Sequence, residues 1–216
     1  MSRYFAKGRE PMSSYTHFWG AVGGVIATFL LVGRSLWQGS SALVLAGVAL
    51  FGLSLVALYS ASSIYHYALC AAAPLRRLRK LDHAMIYVLI AGSYTPFCVA
   101  YMPAGEREIF LGCLWAAAFL GILFKLVWLD APRWIGTLIY LAMGWSILVD
   151  LPDFASMPAA CLALVAAGGI SYSAGAVIYI IKRPNLGPNW GFHELFHLFI
   201  LAGSLLHFLA VFLFVA

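Results

Sequence analysis

The sequence contains few charged residues. Only 10% of its 216 residues are Asp, Glu, Lys or Arg, whereas 63% are hydrophobic and the mean hydropathy is +0.92. A soluble globular domain has about 25% charged residues. This composition excludes an ordinary soluble protein and predicts an integral membrane protein.

Cysteine is also scarce. Its four copies, Cys70, Cys98, Cys113 and Cys161, are far apart in apolar segments. Their spacing fits neither a disulfide framework nor a thiolate zinc site. We interpret them as small buried hydrophobic residues.

Apolar stretches follow one another along the whole chain, separated by short polar or proline-containing breaks. A helix needs about 20 apolar residues to cross a bilayer. The runs predict an all-α, multi-pass bundle of seven transmembrane helices in a single membrane domain, 1–216. The predicted spans are 14–37, 42–69, 82–101, 108–129, 133–150, 157–181 and 192–215.

The distribution of Lys and Arg predicts the orientation of this bundle. Eleven of the 13 basic residues fall on the side of the N-terminus, and only Arg34 and Arg107 fall on the other. Because positively charged loops stay in the cytoplasm, we expect a cytoplasmic N-terminus and an external C-terminus. The net charge of +5 then reflects topology and contact with anionic lipids, so we expect membrane lipids and no nucleic acid as partners.

Three histidines meet at the predicted cytoplasmic face. His193 and His197 are four residues apart at the start of the last helix, and His66 lies near the cytoplasmic end of helix 2. Residues at i and i+4 share one face of a helix and can bind one ion. Three neutral imidazoles with a fourth position open for water are typical of catalytic zinc. We therefore predict Zn²⁺ bound by His66, His193 and His197.

Asp82 and Ser62 are the candidate catalytic residues beside this site. Asp82 opens predicted helix 3 on the same side of the membrane, where its carboxylate could accept a proton from water or orient it. An alternative interpretation makes Asp82 the N-cap of that helix. Ser62 lies one turn before His66 on the same face, so its hydroxyl could bond to water or to the carboxylate.

Together these residues form motifs that resemble those of the hemolysin III family. This family is the bacterial branch of the progestin and adipoQ receptor family, and the receptor family is related to alkaline ceramidases. The resemblance covers nearly the whole chain. Its motifs are Thr16-His17, Ser62-Ser63-Ile64-Tyr65-His66, Leu81-Asp82-His83, Ala91-Gly92-Ser93-Tyr94-Thr95-Pro96, Phe192-His193-Glu194-Leu195-Phe196-His197 and Gly203-Ser204-Leu205-Leu206-His207-Phe208.

The resemblance implies a seven-helix bundle with zinc near the cytoplasmic face, held by His66, His193 and His197, with Asp82 contacting the water. Receptor members are associated with ceramidase-like hydrolysis, which implies a lipid amide as substrate. Bacterial members were named for hemolytic activity and have been linked to membrane homeostasis. For a multi-pass protein, resemblance to this bacterial branch implies a location in the bacterial inner membrane. The chain departs from its bacterial relatives at Ser13, where they commonly carry asparagine.

Two other functions remain open at this point. His193-Glu194-Leu195-Phe196-His197 also fits an intramembrane metalloprotease in which Glu194 is the base. Such a protease should supply a third ligand from a later Leu-Asp-Gly segment, which this sequence lacks. A noncatalytic membrane factor, a hemolysin or lipid-stress sensor with a structural zinc, is the second alternative.

Overall fold

The structure, a computed structural model, describes residues 5–187 and 190–216. Two predictions, the positive charge of Arg3 and the break at Pro188, lie outside these residues. The described residues form seven α-helices in a bundle. They are α1 (Pro11–Trp37), α2 (Ala42–Tyr67), α3 (Ala72–Tyr101), α4 (Glu106–Val127), α5 (Arg133–Gly144), α6 (Ala159–Ile181) and α7 (Phe192–Phe214).

Six of these helices, all except α5, are long and apolar enough to cross a membrane. The prediction of a multi-pass helical membrane protein is therefore confirmed. The helices α1 to α4 pack in sequence against one another, and α7 packs between α1 and α6.

The fifth predicted span is not one continuous helix. The α-helix of α5 has 12 residues, which at 1.5 Å per residue covers about 18 Å of a hydrocarbon core of about 30 Å. Two 3₁₀ segments, Ser146–Leu148 and Leu151–Phe154, continue the chain. At the break, the Tyr94 hydroxyl donates to the Gly144 carbonyl at 2.7 Å and accepts from the Ile147 amide at 3.0 Å. A side chain of α3 thus satisfies backbone groups that the interrupted helix leaves free.

Helix α3 begins ten residues earlier than predicted, so the expectation that Asp82 opens this helix is wrong. The sequence break at Pro74 lies inside the first turn of α3. Proline is tolerated in a first turn because the amide that it lacks would have no helical partner there. Asp82 consequently lies three turns into α3 and is not an N-cap.

The two termini of the bundle lie at opposite ends, as predicted from an odd number of helices. Arg34, in the last turn of α1, donates through Nε to the carbonyl of Ala216 at 3.1 Å. At the other end, which we call the basic end, lie the side chains of Arg76, Arg79, Lys125, Arg133 and Lys182.

Buried hydrogen bonds fix α1 and α7 beside α2. Ser14 and Ser63 each donate a hydroxyl to the backbone carbonyl of the other at 3.0 Å. The Tyr59 hydroxyl donates to Ser204 Oγ at 2.6 Å. In a membrane, hydrogen bonds of this kind help to join helices, and these two sets hold α1 and α7 against α2, which with α7 carries the candidate ligands.

The cysteines are divided between the interior and the surface. All four are free; Cys98 and Cys161 are buried, as predicted, whereas Cys70 and Cys113 are exposed. Cys70 lies in the connection between α2 and α3, and Cys113 lies on α4, where an apolar residue can face lipid as well as the bundle.

Candidate metal centre

His66, His193 and His197 meet at the basic end of the bundle. His66 lies in the last turn of α2, and the other two lie in the first two turns of α7. One ligand nitrogen of each lies within 4.8 Å of the other two, and His66 Nε2 is 3.3 Å from His193 Nε2. The predicted residues thus form a largely buried triad that could hold a metal ion.

The ring of His66 is oriented by Glu10, a residue that the sequence interpretation missed. The Glu10 carboxylate contacts His66 Nδ1, and the Glu10 amide donates to the His66 carbonyl at 2.9 Å. When one ring nitrogen of a histidine donates its hydrogen to a carboxylate, the other ring nitrogen has no hydrogen, and its lone pair can bind a metal. The signal in the sequence was a lone carboxylate directly before Pro11, at the start of helix 1 on the same membrane face.

The electrostatics of Glu10 fit this role. Burial raises the pKa of its carboxyl. The hydrogen bond with His66 and the charges of His66, Arg9 and His193 lower the pKa by more than burial raises it, so the pKa lies below its ordinary value. Glu10 is therefore an anion at neutral pH and can balance the positive charge of an ion on His66.

A cavity of about 230 Å³ lies against this triad and is lined by residues from all seven helices. His193 and His197 line it, whereas His66 does not. Ser62 and Asp82 also line it, and both are at least nine-tenths buried. The two predicted catalytic residues therefore face the same space as two of the predicted ligands.

Asp82 is separate from the three-nitrogen cluster. Its Oδ2 lies 3.5 Å from His83 Nδ1, and that ring nitrogen is 2.8 Å from the Arg79 carbonyl oxygen. Asp82 therefore lies on the α3 side of the cavity, next to His83, and is not part of the three-histidine cluster.

Glu194 is engaged outside the cavity. Its Oε1 accepts from the Ser13 hydroxyl at 2.7 Å, and its Oε2 accepts from the Gly191 amide at 2.9 Å. The second contact caps the N-terminus of α7. Glu194 does not line the cavity; its Oε1 joins α7 to α1, and its Oε2 caps the start of α7.

His207 and His17 lie outside the triad and make contacts of two different kinds. His207 Nε2 lies 3.2 Å from the Val165 carbonyl oxygen of α6, as expected for a hydrogen bond between helices. His17 stacks on His197, with ring centroids 3.6 Å apart and planes 6° from parallel. The ring of His17, on α1, thus packs against the ring of the candidate ligand His197 and holds it in position.

Comparison with known proteins agrees with this architecture. Hemolysin-3 of Bacillus cereus is 32% identical over 207 residues, covering 95% of this chain and 91% of the relative. The Hemolysin-3 homolog of Bacillus subtilis (strain 168) is 34% identical over 163 residues, covering 75% of this chain and 74% of the relative.

A plant protein is also similar. The heptahelical transmembrane protein ADIPOR2 of Oryza sativa subsp. japonica is 32% identical over 150 residues, which are 61% of this chain and 65% of that protein. No solved structure shows a significant match. The family model described as haemolysin-III related matches residues 5–208. The chain therefore belongs to the haemolysin III-related family of multi-pass membrane proteins.

Proposed function

We propose that this protein is a zinc-dependent hydrolase of a lipid amide or ester and that it acts in membrane homeostasis in a bacterial inner membrane. The observation that carries the proposal is the shared cavity: two imidazoles of the triad, a buried carboxylate and a buried hydroxyl face one space. That combination supplies a metal site and an acid–base group for hydrolysis.

The donor set supports zinc as the ion. Two nitrogens bound at about 2.0 to 2.1 Å to a tetrahedral zinc would be about 3.3 Å apart. His66 Nε2 and His193 Nε2 already have a separation of 3.3 Å. Three protein ligands leave one position open, which favours a catalytic over a structural site. When bound, zinc would supply a Lewis acid that lowers the pKa of water to about 7.

Asp82 and Ser62 would perform the proton chemistry. The Asp82 carboxylate would accept a proton from the attacking water and return it to the leaving amine or alkoxide. The Ser62 hydroxyl, one turn from His66, would hold the water or the carboxylate in position. Burial of both residues excludes bulk water from these transfers.

The lining of the cavity supports a lipid as substrate. Away from the triad it is formed by apolar side chains, which include Leu89, Ile90, Phe97, Leu162 and Val165. Such a surface can accept an acyl chain, and the resemblance to ceramidase-related receptors favours an amide. The test is turnover of labelled lipid amides and esters, with and without a phosphate headgroup, by purified, zinc-loaded protein; a fully zinc-loaded protein that cleaves none of them would overturn the proposal.

The contacts of Glu194 weigh against a metalloprotease. We expect Glu194→Gln to retain lipid turnover within about threefold, because glutamine keeps the oxygen that can accept from the Gly191 amide. A zincin that lost its general base would lose at least about 10²-fold. Steady-state hydrolysis of the labelled lipid measures the difference, and a loss of that larger size would support the protease mechanism.

Glu10 should control metal affinity. We expect Glu10→Gln to weaken zinc binding by about 10- to 100-fold, because the amide preserves shape but removes the carboxylate that orients and charges His66. Competition with a zinc chelator measures the change. Glu108→Gln removes an exposed carboxylate at the opposite end of the bundle and should leave affinity unchanged. Equal affinities for all three proteins would show that Glu10 does not support the site.

A further inference from the structure

Lys125 is a buried cation with no anionic partner. Its side chain is 4% exposed, and its ammonium makes no ion pair or hydrogen bond with any of the residues that the structure describes. It lies 5.4 Å from the ring centroid of Phe124 and lines the cavity. Lysine is almost never fully buried unless it is paired, and the described residues give this ammonium no anionic partner, so an anion in the cavity can pair with it.

The fold makes room for this ammonium at Gly136. A Cβ atom on Gly136 would lie 2.7 Å from Lys125 Nζ, so any larger side chain at this position would displace the ammonium from its place. Gly136 stands one turn after Arg133 in α5, so both residues share a face of that helix. The end of α4 therefore places an ammonium beside the helix face that carries a guanidinium.

Arg133 is a second cation without a carboxylate. Its guanidinium lies 5.1 Å from the ring centroid of Tyr179 and 5.5 Å from that of Phe192, and it forms no ion pair among residues 5–187 and 190–216. The Tyr179 ring is also 5.9 Å from the ring of His193. One aromatic ring thus separates this guanidinium from the metal centre.

The other charges of the cavity do not neutralise these two cations. Arg79, which also lines the cavity, has Asp130 as its partner at 3.2 Å. Asp82 is the one carboxylate in the lining that the structure describes, and its close contact is His83. The basic end of the cavity therefore carries an excess of positive charge, whereas the rest of its lining is apolar.

We propose that Lys125 and Arg133 form an anion-binding subsite at the basic end of the cavity and that it takes the phosphate of a lipid headgroup. A lysine is a compact point charge for phosphate, and an arginine offers a planar pair of donors. As a subsite for the substrate this assignment rests on the proposed hydrolase function, and it implies that the cleaved lipid carries a phosphate. Binding itself can be measured without turnover.

The test is equilibrium binding of fluorescently labelled phosphatidic acid to the full-length, zinc-loaded protein in neutral detergent, compared with equally labelled diacylglycerol, which lacks the phosphate. We expect the wild type to bind phosphatidic acid at least about tenfold more tightly. We expect each of three variants, Lys125→Met, Arg133→Gln and Gly136→Ala, to reduce that preference by about tenfold. Gly136→Ala removes no charge and acts by displacing the Lys125 ammonium.

Arg77→Gln is the matched control. Arg77 is exposed near the start of α3, outside the cavity lining, and its loss changes the net charge equally. Overturning results are equal affinity for the two lipids in the wild type, or an equal loss in Arg77→Gln and Lys125→Met. Loss of thermal stability in Lys125→Met with unchanged lipid preference would likewise overturn the subsite.

Inorganic phosphate distinguishes the source of the anion. If it displaces the labelled lipid with an affinity equal to that of phosphatidic acid, the subsite takes free phosphate and the lipid assignment is wrong. Amide turnover is measured separately on the same samples. Turnover without a phosphate preference would contradict the subsite alone, and a phosphate preference without turnover would contradict the hydrolase alone.

Discussion

The double variant His193→Ala, His197→Ala is expected to purify without zinc, whereas the wild-type chain is expected to carry about one zinc ion. Only His66 of the three clustered imidazoles would remain, and a single imidazole cannot retain zinc through purification in detergent. Elemental analysis by mass spectrometry, with protein quantified in parallel, measures the ratio.

His207→Ala is the control for this loss. His207 belongs to the same helix and lines the same cavity, but it lies ten residues beyond His197, about 15 Å along the helix axis. It should therefore keep the full zinc content. Zinc content that is unchanged in the double variant would remove the metal centre from the account.

Asp82→Ala is expected to keep its zinc and to lose lipid hydrolysis by about 10²- to 10⁴-fold, the usual contribution of a general acid–base group. Asp82 is outside the nitrogen cluster but inside the cavity, so its removal should affect proton transfer without affecting metal binding. Single-turnover hydrolysis of a labelled lipid amide and zinc analysis of the same sample separate the two effects.

Asp153→Ala provides the comparison for an aspartate elsewhere. Asp153 lies in the 3₁₀ segment Leu151–Phe154, outside the cavity lining, and its variant should hydrolyse lipid at the wild-type rate. If Asp82→Ala retains its zinc and lyses membranes as well as the wild type does, the noncatalytic alternative is favoured instead. In that alternative, zinc only joins α2 to α7.

The triad was predictable because two independent sequence signals agree on it. The spacing of His193 and His197 defines one helix face, and the distribution of Lys and Arg assigns that face and His66 to the same side of the membrane. Imidazoles in a bilayer are costly, so three at one depth indicate a shared task. The structure confirms that their nitrogens converge.

The start of α3 and the course of the fifth span were predicted less well. Hydropathy marks where apolar residues occur, but the basic run before Asp82 is polar and still helical, because a helix can extend beyond the bilayer. The interruption after Gly144 depends on the Tyr94 hydroxyl, which contacts Gly144 and Ile147 from a distant part of the sequence. No local pattern contains that contact.

The contacts of Glu194 and Glu10 could not be predicted from the sequence. Glu194 fits a catalytic motif by spacing alone, and its engagement with Ser13 depends on how α1 packs against α7. Ser13 thus binds the carboxylate that the protease interpretation needs. Glu10 reaches His66 only because the segment before α1 folds under the end of α2.

X-ray absorption at the zinc edge of the purified protein tests whether the three histidines form a catalytic zinc site. We predict about one zinc per chain with three imidazole nitrogens at about 2.0 to 2.1 Å and one oxygen from water. Because a catalytic site needs an open position, that oxygen should exchange with added ligands. A fourth ligand atom from the protein, or protein that carries no zinc, would contradict the account.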